Sequence, residues 1–179
     1  QKDFRVTAAT QLNFVGDQTH IEDKEMFIEN VRQALYTSKI IAYAQGFDLM
    51  KRAAEEYNWD LNYGEIAKIF REGCIIRAKF LDKITQAYEN NPKLDNLMLD
   101  DHFKDRIDAY QKTLRESAAL AITNGISIPA FTSAIGYYDG YRTAYSSANL
   151  IQAQRDFFGA HTFNRTDKEG TYHYDWINK

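Results

Sequence analysis

The sequence contains little cysteine and little proline, with one cysteine and two prolines in 179 residues. The single Cys74 excludes a disulfide within the chain, and it lies in the apolar run GCIIRAKF. This setting predicts a buried thiol in a reducing cytosol rather than a nucleophile. Because Pro92 and Pro129 both stand in turn-like surroundings, the long segments outside them can form uninterrupted helices.

Long apolar runs and blocks of basic charge are also missing. No stretch approaches the roughly 18 to 20 apolar residues that a membrane helix requires, and the N-terminus has no signal-peptide pattern. We therefore expect a soluble, cytoplasmic protein without a membrane partner. A net charge of -3 with interspersed signs gives no basic face, so no nucleic-acid partner is expected. The chain begins with Gln1 rather than methionine, which indicates a fragment or a trimmed form of a longer protein.

The sequence also lacks the common motifs for nucleotides and metals. The nine glycines form neither G-x-G-x-x-G nor a P-loop, which excludes a nucleotide cradle of either kind from this chain. The histidines have no zinc-ligand spacing: they are His20, His102, His161 and His173. Adjacent carboxylates point about 100 degrees apart on a helix, so Asp100 and Asp101 are predicted to be N-terminal helix charges rather than an acid–base pair. We expect no metal site.

Apolar residues at helical spacing are abundant, and they predict an all-α fold. The longest predicted helix runs from about Lys24 to Tyr57, a stretch without a cluster of glycine or proline. Its predicted buried side consists of Phe27, Val31, Leu35, Ile41, Leu49 and Ala53. A straight ridge of small side chains on the same helix is predicted to let another helix pack closely: Ala34, Ser38, Ala42 and Gly46.

Five shorter helices are predicted after the long one. The second helix is predicted to begin at an Asn62 cap, and the third is predicted to end at Asn91–Pro92. The fourth is predicted to begin at Asp100 and to end at Asn124–Gly125. The fifth is predicted to begin at Pro129, and the sixth is predicted to run from Asn149 to Gly159. The sixth helix is predicted to bury Leu150, Ala153 and Phe157.

The motif YYDGYR lies in the fifth helix, at residues 137–142. Tyr137 and Tyr141 are predicted to pack at helical spacing while Asp139 pairs locally. A functional polar cluster of Asp139 with Arg142 is the alternative interpretation.

The residues after Gly159 differ from the helical body, because they are polar yet rich in aromatic side chains. Tyr172, Tyr174 and Trp176 alternate, which predicts an extended segment with one face on an apolar surface, either of its own domain or of a partner. The chain is therefore divided into an all-helical domain, residues 1–159, and an extended C-terminal tail, residues 160–179.

The stretch QAQRDFFGAHTFNR, residues 152–165, places Arg155 on the last turn of the sixth helix and His161 just after the Gly159 turn. Both side chains can extend beyond the helix end, and the donor fork of an arginine suits a phosphate or a carboxylate. In the alternative interpretation, Arg155 stabilises the C-terminal end of the helix dipole and pairs with Asp156 or Glu169. The residues alone leave both interpretations open.

Several long motifs follow one another along the chain: ALYTSKIIAYAQGFDLM, WDLNYGEIAKIFREGCIIRAKFL, IPAFTSAIGYYDGYRTAYSSANLIQAQRDFFGAHTFNRTDKEG and YHYDW. With the opening QKDFRVTAATQL, they closely resemble the C-terminal part of decarboxylating 6-phosphogluconate dehydrogenases. The resemblance implies an all-helical substrate and dimerisation domain. It implies a parent enzyme that oxidises 6-phosphogluconate with NADP and releases CO2 to give ribulose 5-phosphate, in the pentose phosphate pathway. It also implies a homodimer in which the tail docks on the partner subunit.

In that family, an arginine and a histidine of a QRD(F/Y)FGAH motif cross the dimer and help to hold the phosphorylated substrate. They match Arg155 and His161. The family's NADP-binding domain and its catalytic lysine and glutamate lie before the point where this chain begins. The resemblance therefore assigns no catalytic or cofactor-binding residue to this chain, and we expect the isolated chain to be inactive.

Two other functions are alternatives to a domain of this dehydrogenase family. A stand-alone helical interaction module without catalysis is indicated by the aromatic tail and by the lack of a complete catalytic set. A related hydroxy acid dehydrogenase of similar helical build would be expected to lack the motif that carries Arg155 and His161.

Overall fold

The structure, a computed structural model, describes residues 1–70 and 79–177. Its α-helices are α1 (Lys2–Gln11), α2 (Lys24–Tyr57), α3 (Tyr63–Ile69), α4 (Leu81–Asn90), α5 (Asp101–Thr123), α6 (Pro129–Arg142) and α7 (Ala148–Gly159). A short 3-10 helix, Leu97–Leu99, precedes α5, and two strands, β1 (Phe163–Asn164) and β2 (Thr171–Tyr172), follow α7. The all-α prediction is confirmed. The chain divides into two compact units, residues 1–138 and residues 139–179.

The long helix α2 has the predicted bounds because both of its ends are capped. The Asp23 carboxylate accepts a hydrogen bond from the Met26 backbone N–H at 2.9 Å, which satisfies a donor of the first turn. At the other end, Asn58 adopts the left-handed conformation, with φ of 54°, and stops the helix.

The predicted buried side of α2 is largely wrong. Leu35 and Leu49 are 57% and 68% exposed, although Ile41 is buried as predicted. The buried residues of this helix are Ala34, Thr37, Ser38, Ile40, Ile41, Ala44, Phe47 and Ala54. Apolar residues lie on two sides of α2, and the side that faces α5 and the 3-10 helix is the one that packs.

The ridge of small side chains on α2 is buried over half of its length. Ala34 and Ser38 are buried, whereas Ala42 and Gly46 are exposed. A side chain built at Gly46 would meet no atom within 4 Å among the described residues. The predicted packing role of Gly46 is therefore not found within this part of the chain.

The core of the first unit lies where α2, α5 and the 3-10 helix meet, beside the pair of α3 and α4. Its largest fully buried apolar side chains include Phe47, Leu97, Phe103, Ile107 and Leu114. Buried Asn96 joins the core to α6, because its Nδ2 donates to the Tyr137 hydroxyl at 3.2 Å. Tyr137 packs as predicted.

Local signals predicted other helix boundaries correctly. Asn62 caps α3 by accepting from the Glu65 N–H at 3.1 Å, and Asp100 caps α5 by accepting from the His102 N–H at 3.1 Å. Gly125, with φ of +68°, follows the end of α5. Helix α1, which buries no residue, was not predicted.

Three other predictions have mixed outcomes. Cys74, predicted to be buried, lies outside the described residues. Tyr141, which was predicted to pack, is 40% exposed. Asp139 pairs locally with Arg142 at 3.1 Å, as expected for side chains one helical turn apart.

None of the helices in the described ranges is long and apolar enough to cross a bilayer.

Candidate functional site

The unit of residues 139–179 contains both predicted site residues, on α7 and on the turn that follows it. Helix α7 ends at Gly159 as predicted, because Ala160 adopts the left-handed conformation with φ of 47°. Thr162 also has a positive φ, 63°, so the chain reverses sharply around His161. Strands β1 and β2 then pair antiparallel, with Phe163 opposite Tyr172.

The predicted apolar stripe of α7 is wrong. Leu150 and Phe157 are 75% and 59% exposed. The buried residue of this helix is Asp156, whose exposed fraction is 0%. The second unit is therefore organised around a carboxylate, and apolar periodicity cannot detect a buried polar centre.

Asp156 connects α7 to the C-terminal tail. One carboxylate oxygen, Oδ1, lies 3.0 Å from the Thr162 N and 2.9 Å from the His173 Nδ1. The other, Oδ2, lies 3.0 Å from the Tyr174 N and 2.9 Å from the Trp176 Nε1. An ionised carboxylate only accepts hydrogen bonds, so each of these groups donates and the His173 Nδ1 carries a proton.

The environment of Asp156 favours its charged form. Burial by itself raises the pKa of this carboxyl group, because it disfavours the charged state. Hydrogen bonds from the His173 side chain, the Tyr174 backbone and the Trp176 side chain outweigh burial, and they hold the pKa of Asp156 well below its usual value. The group is therefore ionised at neutral pH and retains its acceptor role.

The aromatic tail folds back on its own unit. The Trp176 ring meets the Phe157 ring edge to face, with centroids 6.2 Å apart, and the Tyr174 ring lies 5.1 Å from that of Trp176. The sequence left open whether the tail packs on its own domain or on a partner. In the described residues, the Trp176 ring packs on α7 of the same chain. Contacts of the tail with a second chain remain a prediction.

Arg155 is exposed, and its hydrogen bond is to a neutral group. The guanidinium Nη1 donates to the Gln152 Oε1 at 3.3 Å. The Asp156 carboxylate, which the alternative interpretation offered as a partner, is directed instead to the tail. In the same unit, the Arg165 guanidinium pairs with the Asp167 carboxylate at 2.6 Å. Within residues 1–70 and 79–177 Arg155 forms no ion pair, so its charge is available to an external anion.

His161 is also exposed, and its ring lies against Gly159. A Cβ at Gly159 would lie 2.9 Å from the Cδ2 and Nε2 atoms of that ring, closer than real Cβ contacts. The Phe158 ring meets the imidazole edge to face, with centroids 6.0 Å apart. Only glycine at residue 159 leaves the imidazole in this place without displacement.

An exposed guanidinium and an exposed imidazole on one short segment can bind an oxyanion and a neighbouring hydroxyl by donated hydrogen bonds. The C-terminal end of a helix carries a partial negative charge, so the α7 dipole does not attract an anion here. Binding would therefore depend on the side chains of Arg155 and His161, and on how firmly their backbone is held.

The sequence interpretation missed Gln152 and Asp156. Gln152 donates from Nε2 to the Thr162 carbonyl, in addition to its contact with Arg155. One signal was available for Asp156, because an acidic residue near the C-terminal end of a helix is unfavourable unless other groups compensate it.

The fold and the site together define an all-α domain that exposes an arginine and a histidine side chain, Arg155 and His161, at the C-terminal end of a helix. The family model for the 6-phosphogluconate dehydrogenase C-terminal domain matches residues 1–176. The chain belongs to this family, as its motifs predicted.

Two curated relatives are similar over nearly the whole chain. The decarboxylating 6-phosphogluconate dehydrogenase of Escherichia coli (strain K12) is 58% identical over 178 residues, which cover 99% of this chain and 38% of the relative. The NADP(+)-dependent decarboxylating enzyme of Bacillus subtilis (strain 168) is 57% identical over 176 residues, which cover 98% of this chain and 38% of the relative.

A solved structure has the same fold. Plasmodium falciparum 6-phosphogluconate dehydrogenase, studied in its apo form and in complexes with NADP+ and 6-phosphogluconate, matches with a TM-score of 0.90 and 46% identity. The match covers 98% of this chain and 38% of that chain. This chain thus spans about 38% of the length of the relatives that it matches.

Proposed function

We propose that this chain is the substrate-contacting and dimerisation domain of an NADP-dependent 6-phosphogluconate dehydrogenase, a cytoplasmic enzyme that converts 6-phosphogluconate to ribulose 5-phosphate and CO2 in the pentose phosphate pathway. Arg155 binds the substrate phosphate, and His161 donates a hydrogen bond to the same substrate. The observation that carries this proposal is the exposed Arg155 guanidinium, bonded to the neutral Gln152 amide, on the same anchored segment as the exposed His161 ring.

NADP binding and the chemical step are assigned to the part of the relatives that this chain does not span. The chain has no glycine fingerprint, and its described residues form helices and one two-stranded hairpin rather than a parallel nucleotide-binding sheet. These residues do not fit NADP. The isolated chain is expected not to reduce NADP.

We further infer a homodimer with tail exchange, in which Arg155 and His161 act on the partner's substrate. The solvent-facing side of α2 supports a second copy as the partner, because it is apolar at helical spacing: Ile28, Val31, Leu35 and Leu49 are exposed there. Exposed apolar residues that share one side of a helix favour an interaction surface. In this proposal the tail, residues 160–179, docks on the partner, and α7, to which Asp156 attaches the tail, carries Arg155 to the same site.

The test is steady-state kinetics on the complete gene product that contains this chain. A hydrogen bond to a charged group contributes about 1.5 to 3 kcal/mol, so Arg155→Ala should raise the KM for 6-phosphogluconate by roughly tenfold to a hundredfold. The KM for NADP should barely change. Arg165→Ala is the matched control, because Arg165 lies in the same unit but pairs with Asp167. An unchanged KM for 6-phosphogluconate in Arg155→Ala would contradict the proposal.

Action across the dimer has its own test. An Arg155→Ala subunit is co-expressed with a subunit that lacks the catalytic lysine of the upstream region. If Arg155 acts on the partner's site, the mixed dimer keeps one site with both groups and recovers activity. If no mixed dimer recovers activity, Arg155 serves its own subunit.

A stand-alone interaction module is the competing function. The exposed apolar side of α2 is compatible with that function too, since it requires a partner but not a substrate. Measurements on the complete gene product distinguish the two functions. A module would show neither NADP reduction nor a shift of the His161 imidazole NMR resonances on addition of 6-phosphogluconate.

A further inference from the structure

We propose that Gln152 is a positioning residue for substrate binding: its side-chain amide sets where Arg155 and His161 lie relative to each other. The proposal rests on the function proposed above for these two residues. Gln152 Oε1 accepts from the Arg155 Nη1 at 3.3 Å, and Gln152 Nε2 donates to the Thr162 carbonyl. One amide therefore contacts the guanidinium at one end and the backbone next to His161 at the other.

Helix geometry accounts for the first contact. Gln152 and Arg155 are three residues apart on α7, so their side chains are neighbours on the helix surface. Arg155 is exposed and long, and an exposed arginine samples many rotamers. A hydrogen bond to a half-buried amide restricts these rotamers without neutralising the positive charge.

The second contact works together with Asp156. Thr162 has φ of 63°, an unfavourable conformation for a β-branched residue, so other contacts have to hold it there. The Asp156 Oδ1 accepts from the Thr162 N at 3.0 Å, and Gln152 Nε2 donates to the Thr162 carbonyl. Both backbone polar groups of the residue that follows His161 are thus bonded to side chains of α7.

The chemistry of this arrangement requires an amide. It needs an acceptor towards the guanidinium and a donor towards the carbonyl, and a glutamine side chain supplies both. A glutamate of the same size supplies acceptors only. Gln152→Glu would therefore pair with the Arg155 charge, compete with the substrate phosphate and repel the Thr162 carbonyl.

The experiment compares four variants of the complete gene product: Gln152→Glu, Gln152→Ala, Arg155→Ala, and the double variant Gln152→Glu with Arg155→Ala. Loss of one hydrogen bond of ordinary strength weakens binding by about threefold to tenfold. We therefore expect each Gln152 variant to raise the KM for 6-phosphogluconate by that factor. The kcat and the KM for NADP should stay unchanged. Gln154→Glu is the control, since Gln154 is an exposed glutamine of the same helix.

The double variant separates positioning from a general structural role. If Gln152 acts through Arg155, the effects of the two substitutions on KM combine to less than their product. A full product, or an equal rise in the KM for NADP, overturns the proposal. If Arg155→Ala raises the KM while both Gln152 variants leave it unchanged, the proposal fails and the proposed function stands. If Arg155→Ala leaves the KM unchanged, the proposed function itself fails.

Discussion

The Trp176 indole N–H donates to the Asp156 carboxylate at 2.9 Å, which attaches the C-terminal tail to the helix that carries Arg155. The acceptor is completely buried, and it also receives the Tyr174 backbone N–H. The tail and the proposed substrate-binding segment are therefore held by one side chain, and a change at that side chain should affect both.

Replacement of Asp156 by asparagine should loosen the tail. The asparagine amide has one acceptor oxygen, and its NH2 group would face donors that now bond to the carboxylate. We expect a lower melting temperature for the unit of residues 139–179, faster proteolysis after residue 160, and a red-shifted Trp176 fluorescence. Asp167→Asn, at an exposed position of the same unit, is the control. Equal protease resistance of the two variants would show that Asp156 does not hold the tail.

The stability of this unit should fall in acid. The folded pKa of Asp156 is depressed relative to its unfolded value, so its contribution to stability is fully present above the unfolded pKa of about 4. The contribution is lost as the pH falls below about 4 and towards the folded pKa. Acid titration followed by Trp176 fluorescence should show this loss, and Asp156→Asn should remove it. A titration unaltered in Asp156→Asn would assign the acid sensitivity to another group.

Gly159→Ala should displace the His161 ring while leaving the fold intact. The new Cβ would lie 2.9 Å from two ring atoms, which belong to a side chain that can rotate away. We expect a shift of the His161 imidazole resonances by NMR and, in the complete gene product, a KM for 6-phosphogluconate raised by about threefold to tenfold through loss of one hydrogen bond.

Gly140→Ala is the matched control for that substitution. Gly140 lies in α6, and a Cβ there would meet no atom within 4 Å among the described residues. Alanine in a helix interior is favoured over glycine, so Gly140→Ala should be neutral or stabilising by up to about 1 kcal/mol. Unchanged His161 resonances in Gly159→Ala would contradict the steric role of Gly159.

A charge on the exposed side of α2 should weaken dimerisation. Leu49 is 68% exposed in the single chain, so Leu49→Glu should change the stability of a monomer by no more than about 0.5 kcal/mol. If a second copy covers this side, the same substitution buries an unpaired charge and shifts the oligomer towards monomer. Light scattering over a concentration series measures the shift, with Leu99→Glu as the control, since Leu99 is an exposed leucine outside α2. Identical masses for the two variants would exclude this side of α2 as the interface.

Helix boundaries were readable from the sequence because the contacts that set them are local. The side chains of Asp23 and Asn62 bond to backbone N–H groups three residues further on, and Asp100 bonds to one two residues further on. The family was readable too, because its motifs extend over residues 1–176 and include the segment that carries Arg155 and His161. These features require no knowledge of what lies across the fold.

Tertiary structure alone decided which sides of the helices are buried and what Asp156 does. Helix α2 has apolar residues on two sides, and only its packing against other elements, α5 and the 3-10 helix among them, determines that Ile40 is buried while Leu49 is exposed. The Asp156 partners lie between 6 and 20 residues further along the chain, at Thr162 and Trp176 among others. No helical period connects residues at such separations, because turns and a strand pair intervene. The buried carboxylate and the contact of Gln152 with Thr162 therefore emerge only when the chain folds back on α7.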